Sequence, residues 1–235
     1  KEFQTIMSAI ASNLQAVRAR IAKAALDAGR LPQEITLLAV SKTWSVDCVI
    51  AAHQSGQRAF GENYVQEAVD KARATANLDL EWHFIGPLQS NKTRPVAEHF
   101  AWVHTIDRLK IAERLSAQRP PTLPPLQVCV QVNVSGEASK SGCMPDDAAA
   151  LCSAVNALPH LKLRGLMTIP EPADDFSAQR VPLRRLRELF ATIGSSGLLL
   201  DTLSMGMSHD LEAAVAEGAT IVRIGTAIFG ERSYA

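Results

Sequence analysis

The chain has 235 residues, of which 47% are hydrophobic and 20% charged, with 24 basic residues balanced by 24 acidic ones. This length suits one large α/β domain spanning 1–235, and a net charge of zero argues against nucleic acid as the main partner. No run approaches the roughly 18 consecutive apolar residues of a membrane span, and the opening KEFQTIMSAIASNLQAV lacks a basic region leading into an apolar block, so neither a membrane anchor nor a signal peptide is expected.

In chain order, the first element is a helix. Phe3, Ile6, Ile10, Leu14, Val17, Ile21 and Ala25 recur at three- and four-residue steps, and Gly29 supplies a C-terminal stop. ITLLAVS (Ile35–Ser41) follows, a short and almost wholly apolar run of the kind found in strands covered on both faces. Similar runs recur at Arg58–Gly61, Trp82–Ile85, Trp102–Ile106, Val128–Val134, Leu163–Ile169, Thr202–Met205 and Thr220–Ile224. Helical patterns separate them at Val46–Gln54, Tyr64–Ala74, Asn91–Glu98, Leu109–Ala117, Asp146–Ala157, Leu183–Ile193 and Leu211–Ala216. RPPTLPPL (Arg119–Leu126) and the polar stretch from Glu171 to Gln179 read as exposed loops. Eight strands alternating with helices predict a parallel sheet closed into a single (β/α)8 TIM-type barrel, preceded by an N-terminal helix. An open doubly wound sheet is the alternative, but LLAVSKTWSVD lacks the glycines of a dinucleotide-binding turn.

The four cysteines, Cys48, Cys129, Cys143 and Cys152, share no CxxC spacing, so neither a zinc site nor a disulfide framework is expected. Thiols of this kind fit a reducing cytoplasm.

Barrel active sites gather at the C-terminal ends of the strands. The first strand ends in Ser41-Lys42-Thr43. Partial desolvation there lowers a lysine's pKa and makes the amine a better nucleophile towards aldehydes, although position alone equally allows a lysine that extends to solvent. Ser204, Gly206 and Ser208 follow the seventh strand, with Ser208 a candidate cap for the next helix; Gly225 and Thr226 follow the eighth. Loops after strands seven and eight form the recurrent phosphate site of these barrels. A reactive lysine and a phosphate cradle in one mouth describe a site for a phosphorylated aldehyde. Arg223 interrupts the apolar run IVRIG and needs a partner, either a ligand's ring nitrogen or a buried carboxylate such as Glu62 or Asp201. Glu62, Asn63, Asn133, Met167 and Thr168 stand at other strand ends. His83 in EWHFIG fits a core position at least as well as a catalytic one. SNK (Ser90–Lys92) and SKSG (Ser139–Gly142) place basic residues in loops of the same face.

Together LLAVSKT, FGENYVQEAVDK, EWHFIGPLQSNK, HTIDRLKIAERL, SKSG, LRGLMTI and LSMGMSHDLEAAVAEGATIVRIGTAIFG resemble the pyridoxal phosphate homeostasis family, relatives of the N-terminal barrel of bacterial alanine racemase. The resemblance runs from about Ile35 to Tyr234. It implies a fold-type III pyridoxal 5′-phosphate (PLP) barrel that holds the cofactor as an internal aldimine on Lys42. Ser204, Ser208, Gly225 and Thr226 hold the phosphate by the same resemblance, Arg223 faces the pyridine nitrogen, and Asn63 and Met167 line the cofactor's sides. Trp44-Ser45 departs from the family's usual continuation after SKT and alters that loop. The implied function is intracellular PLP homeostasis in the cytoplasm without catalytic activity, as a monomer or weak dimer whose candidate partners are PLP and apo PLP-dependent enzymes. A racemase-like PLP enzyme acting weakly on amino acids is the alternative. Against it, two-base racemization requires an acid/base on each face of the α-carbon, and the chain offers only Tyr64 and Tyr234 as tyrosines. A cofactor-free lyase using Lys42 ranks third.

Overall fold

The computed structural model describes residues 1–138 and 141–232. Its strands are β1 (Thr36–Val40), β2 (Ala59–Glu62), β3 (Glu81–Phe84), β4 (Trp102–Ile106), β5 (Leu126–Gln131), β6 (Leu161–Met167), β7 (Thr202–Ser204) and β8 (Ile221–Ile224). They pair in parallel in sequence order, and β8 closes on β1 through Thr36↔Ile221, Leu37↔Val222, Leu38↔Arg223 and Ala39↔Ile224. The chain is a closed (β/α)8 barrel. Its helices are α1 (Glu2–Asp27), α2 (Val46–Gln54), α3 (Val65–Ala74), α4 (Thr93–His99), α5 (Leu109–Gln118), α6 (Pro145–Asn156), α7 (Phe176–Ser195), α8 (Leu211–Ala216) and α9 (Thr226–Phe229).

The period of two along each strand divides the apolar residues into two cores. Phe60, Phe84, Val103, Val128, Leu166, Leu203 and Val222 face the helices and join the main cluster. Leu38, Val40, Ala59, Trp102, Cys129, Met167 and Ile221 fill the barrel interior. The same alternation carries Glu81, His83, His104, Ser204 and Arg223 inward. His83, His104 and Arg223 share strand parity with the interior apolar residues Ile85, Trp102 and Ile221.

Helix α1 does more than precede the barrel. Among the described residues the four-residue α9 is the only helix after β8, and α1 packs against α2, α8 and α9. It therefore occupies the place of an eighth covering helix. Its buried stripe of Ile10, Leu14, Val17, Ile21 and Ala25 is the one that the sequence periodicity picks out.

Among the boundaries that differ from expectation, three change the place of a residue or loop named above. Helix α7 begins at Phe176, inside the stretch read as an exposed loop, because the Asp175 carboxylate accepts from the Ala178 N–H at 2.8 Å and caps a turn ahead of Pro182. Strand β5 ends at Gln131, so Asn133 lies beyond it, where its side chain donates to Glu137 O and accepts from the Gly136 N–H. The N-cap of α8 is Asp210, and Ser208 lies two residues ahead of it. Asp210 Oδ1 instead accepts from the Met207 N–H at 2.7 Å and shapes the preceding loop. Of the residues singled out in the sequence, Ser139, Lys140 and Tyr234 lie outside the described ones.

Candidate functional site

A cavity of about 650 Å³ opens at the C-terminal ends of the strands. Its walls bring together Lys42, Asn63, Ser208, Arg223, Gly225 and Thr226. Six of the eight site residues expected from the sequence thus share one space. The other two, Met167 and Ser204, have no exposed surface and sit in the barrel interior, away from the cavity wall.

Lys42 follows β1 with Ser41 between them. Among the described residues its ammonium has no hydrogen-bond or ion-pair partner. Burial holds its pKa below the ordinary lysine value, the charge of Arg232 adds to the depression, and Glu62 opposes it. The residues on either side are clamped. The Ser41 hydroxyl donates to Glu62 Oε1 at 2.8 Å, and Lys71 Nζ on α3 donates to Ser41 O, Glu62 Oε1 and Glu67 Oε1, each at 2.7 Å. Glu67 Oε1 also accepts from the Thr43 N–H at 2.5 Å. Thr43 has φ +69°, a left-handed conformation costly for a β-branched residue and held here by that hydrogen bond. Glu62 belongs to this clamp, with a pKa raised by burial against the opposing pull of Lys71.

Arg223 rises from the interior of β8 and is 4% exposed. Nη1 donates to Ser204 Oγ at 2.8 Å and Nη2 to Thr168 O at 2.9 Å. Neither Glu62 nor Asp201 is its partner, since Glu62 pairs with Lys71 and Asp201 with Arg164. No ion pair to Arg223 occurs among the described residues, and burial brings its pKa down to about 10. The guanidinium thus retains N–H donors for something in the cavity.

The loops after β7 and β8 form the opposite wall. Gly206 has φ +103°, and a Cβ there would lie 2.5 Å from Ala214 Cβ, so only glycine allows this loop to fold against α8. The backbone N–H of Arg223 donates to Gly206 O at 2.9 Å, which ties the two loops together. Gly225 lets β8 approach β1, since a Cβ there would lie 3.1 Å from Val40 O. Arg20 on α1 donates to Ser208 O at 2.7 Å while its guanidinium grips Glu212 of α8. The N-terminal helix therefore braces the loop that carries Ser208. Among the described residues the hydroxyls of Ser208 and Thr226 make no hydrogen bond and are free for a ligand.

Asn63 adds an unsatisfied group, since its buried Oδ1 has no partner among the described residues. An orphaned buried acceptor is costly unless a ligand donor meets it. Amine, guanidinium, amide oxygen and free hydroxyls in one cavity suit a compact anionic ring bearing an aldehyde. Among the described residues no cluster of His, Cys, Asp and Glu is placed to hold a metal ion. Sequence reasoning did not single out two residues that matter here, Lys71 and His104. Lys71 is foreshadowed by the Glu67–Lys71 spacing on one helix face, and His104 by its polar ring inside WVHTI, the counterpart of His83.

Fold and site together define a barrel of the alanine racemase N-terminal kind. Residues 7–233 match the family model described as "Alanine racemase, N-terminal domain", and the chain belongs to that family. Within it, the chain is 63% identical over 228 residues to the pyridoxal phosphate homeostasis protein of Pseudomonas aeruginosa, covering 97% of this chain and 98% of that relative. It is 56% identical over 231 residues to the Escherichia coli K12 protein of the same name, covering 97% and 99%. Among solved structures, PipY of Synechococcus elongatus, described with PLP bound, superposes with a TM-score of 0.82 at 37% identity, covering 94% of this chain and 100% of PipY.

Proposed function

We propose that this protein binds PLP and serves intracellular PLP homeostasis, holding the cofactor covalently through Lys42. One observation carries the reading: an amine with no ion-pair partner and a burial-depressed pKa stands on the wall of the cavity that also holds Arg223. PLP supplies an aldehyde that a neutral primary amine attacks. The chain's own residues do the rest. The Ser41–Glu62–Lys71–Glu67–Thr43 clamp orients Lys42, and Arg223 donates to the pyridine nitrogen while retaining its proton. The hydroxyls of Ser208 and Thr226, with the backbone at Gly225 and Thr226, receive the phosphate, and Asn63 flanks the ring. Ser204 and Met167 act from beneath, Ser204 by supporting Arg223 and Met167 by filling the barrel floor. The kinship with proteins named for PLP homeostasis and with PLP-bound PipY supports this reading.

Among the described residues no helix is long and apolar enough to cross a membrane, and the site of action we propose is the cytoplasm. Apo PLP-dependent enzymes are the proposed recipients, and a monomer or weak dimer is the proposed working form. The test is borohydride reduction of the PLP-loaded protein followed by peptide mapping. The expected adduct lies on Lys42 and is lost in Lys42→Ala, which keeps residual reversible binding. An adduct on a peptide without Lys42 refutes the assignment.

A further inference from the structure

A continuous hydrogen-bond chain crosses the barrel interior from the mouth opposite the cavity. Glu81 opens β3 there, with its side chain 47% exposed and Oε1 2.7 Å from His83 Nε2. His83 Nδ1 lies 2.8 Å from His104 Nε2, and His104 Nδ1 lies 2.7 Å from Ser204 Oγ. The chain ends where Arg223 Nη1 reaches Ser204 Oγ at 2.8 Å.

Its two ends fix its direction. A guanidinium has only donors and an ionised carboxylate only acceptors. Arg223 therefore donates to Ser204, whose own proton goes to His104 Nδ1. His104 then carries its proton on Nε2 and donates to His83 Nδ1, and His83 carries its proton on Nε2 and donates to Glu81. All four bonds are satisfied with both imidazoles neutral. The reverse polarity fails at Ser204: Arg223 and His104 would both donate to its oxygen, and the hydroxyl proton would have no acceptor at a residue with no exposed surface. Burial depresses the pKa of both histidines, which agrees with neutral rings, while the hydrogen bond from His83 holds Glu81 below its ordinary value. Arg58 and Arg164 also favour the ionised form of Glu81.

We propose that Glu81, His83, His104 and Ser204 are positioning residues forming a one-way hydrogen-bond chain. The chain anchors Arg223 Nη1 beneath the cavity, so that the guanidinium's remaining N–H groups stay fixed as donors towards the ring nitrogen of PLP. The inference rests on the PLP reading above for its ligand, but the polarity of the chain is a property of the cofactor-free protein. A histidine pair that only filled space would need no defined tautomer. Here each ring has one, and the exposed Glu81 at the far mouth is coupled to the cavity through four bonds.

The first measurement is nitrogen NMR of the cofactor-free protein labelled at histidine. Two neutral rings protonated on Nε2 are expected, and a charged or Nδ1-protonated ring at either position overturns the proposal. The second uses PLP labelled at its ring nitrogen in wild type, Ser204→Ala, Ser204→Thr and Glu81→Leu. Loss of the Ser204 acceptor is expected to weaken PLP binding about fivefold to tenfold and to shift the ring-nitrogen resonance, with Ser204→Thr restoring both. Glu81→Leu, a partly exposed site that leaves the cavity wall untouched, is expected to mix the histidine tautomers and move the same resonance in the same direction. A resonance unmoved in both Ser204→Ala and Glu81→Leu refutes the coupling. Failure of the wild type to bind PLP sinks the cofactor reading instead, and the tautomers alone then decide whether the chain exists.

Discussion

Replacing Lys71 by methionine removes the cation at the centre of the clamp around Lys42 while keeping most of its volume. Lys71 is 5% exposed and Glu62 not at all, so the change strands a buried carboxylate and takes the ammonium donor from Ser41 O, which keeps the Trp44 N–H. Breaking a buried pair from one side costs about 3–5 kcal/mol. The lower end applies here, because Glu62 can take up a proton and Glu67 is partly exposed, so about 3 kcal/mol is expected by urea unfolding of the cofactor-free protein. The sign of the pH dependence follows from Glu62. Its folded-state pKa is already raised above the ordinary 4.5 by burial, and losing Lys71 raises it further. A carboxyl with a raised folded-state pKa contributes its stability below the unfolded value and loses it as pH rises through the folded value. The deficit of Lys71→Met should therefore be smallest below 4.5 and grow with pH. Adding Glu62→Gln removes the stranded charge and should recover about 1–2 kcal/mol. PLP affinity should fall about fivefold to tenfold in the single variant, because Ser41 and Thr43 lose their hold on either side of Lys42. A stability loss below about 1 kcal/mol together with unchanged affinity would refute the clamp, as would a double variant no more stable than the single.

Thr226→Val removes a free hydroxyl from the phosphate wall, and a hydrogen bond to a charged group is worth about 1.5–3 kcal/mol. PLP affinity measured by fluorescence titration should fall by at least tenfold with the unfolding midpoint unchanged. The rate of covalent attachment at Lys42 should rise with pH, with a midpoint below the ordinary lysine value of 10.5. Arg232→Ala, which removes a contributor to that depression, should move the midpoint up and slow attachment at neutral pH in stopped-flow absorbance. Chiral analysis of alanine and serine should show no racemization beyond that of free PLP, because two-base racemization needs an acid/base on each face of the α-carbon and the chain offers only Tyr64 and Tyr234 as tyrosines, while an Arg223 that keeps its proton leaves the ring a weak electron sink. A rate on the usual enzymatic scale of about 1–10³ s⁻¹ would overturn the homeostasis reading.

The barrel was legible because its strands are apolar on both faces and its helices carry a 3.6-residue period, two signals that do not depend on distant contacts. Lys42, Gly225 and Thr226 were legible for a related reason: a strand that ends predictably delivers the next one or two residues to the mouth. What the sequence concealed depends on side-chain direction across the barrel. Ser204 and Ser208 look equivalent in SMGMS, yet strand parity sends Ser204 down to His104 and Arg223, and the turn at Gly206 brings Ser208 up to the cavity. Glu62 was read as a mouth residue and, with Asp201, as an alternative to a ligand's ring nitrogen as partner for Arg223. It lies instead on the helix side of β2, where it meets Lys71 of α3. A one-residue difference in parity separates the two environments, and no composition-based signal resolves it.

These two polar systems show how one mouth can hold a half-buried amine and a buried guanidinium with no carboxylate paired to either among the described residues. The clamp lies outside the sheet and pairs both of its carboxylates with one local cation, Lys71. The chain to Glu81 lies inside the sheet and gives Arg223 neutral oxygen acceptors in place of a carboxylate. A carboxylate beside Arg223 would neutralise the guanidinium and compete with a ring nitrogen for its donors; one bonded to Lys42 would raise the amine's pKa and suppress its nucleophilicity. The sheet keeps the acidic residues of both systems out of the cavity wall: Glu62 is behind it and Glu81 is at the far end.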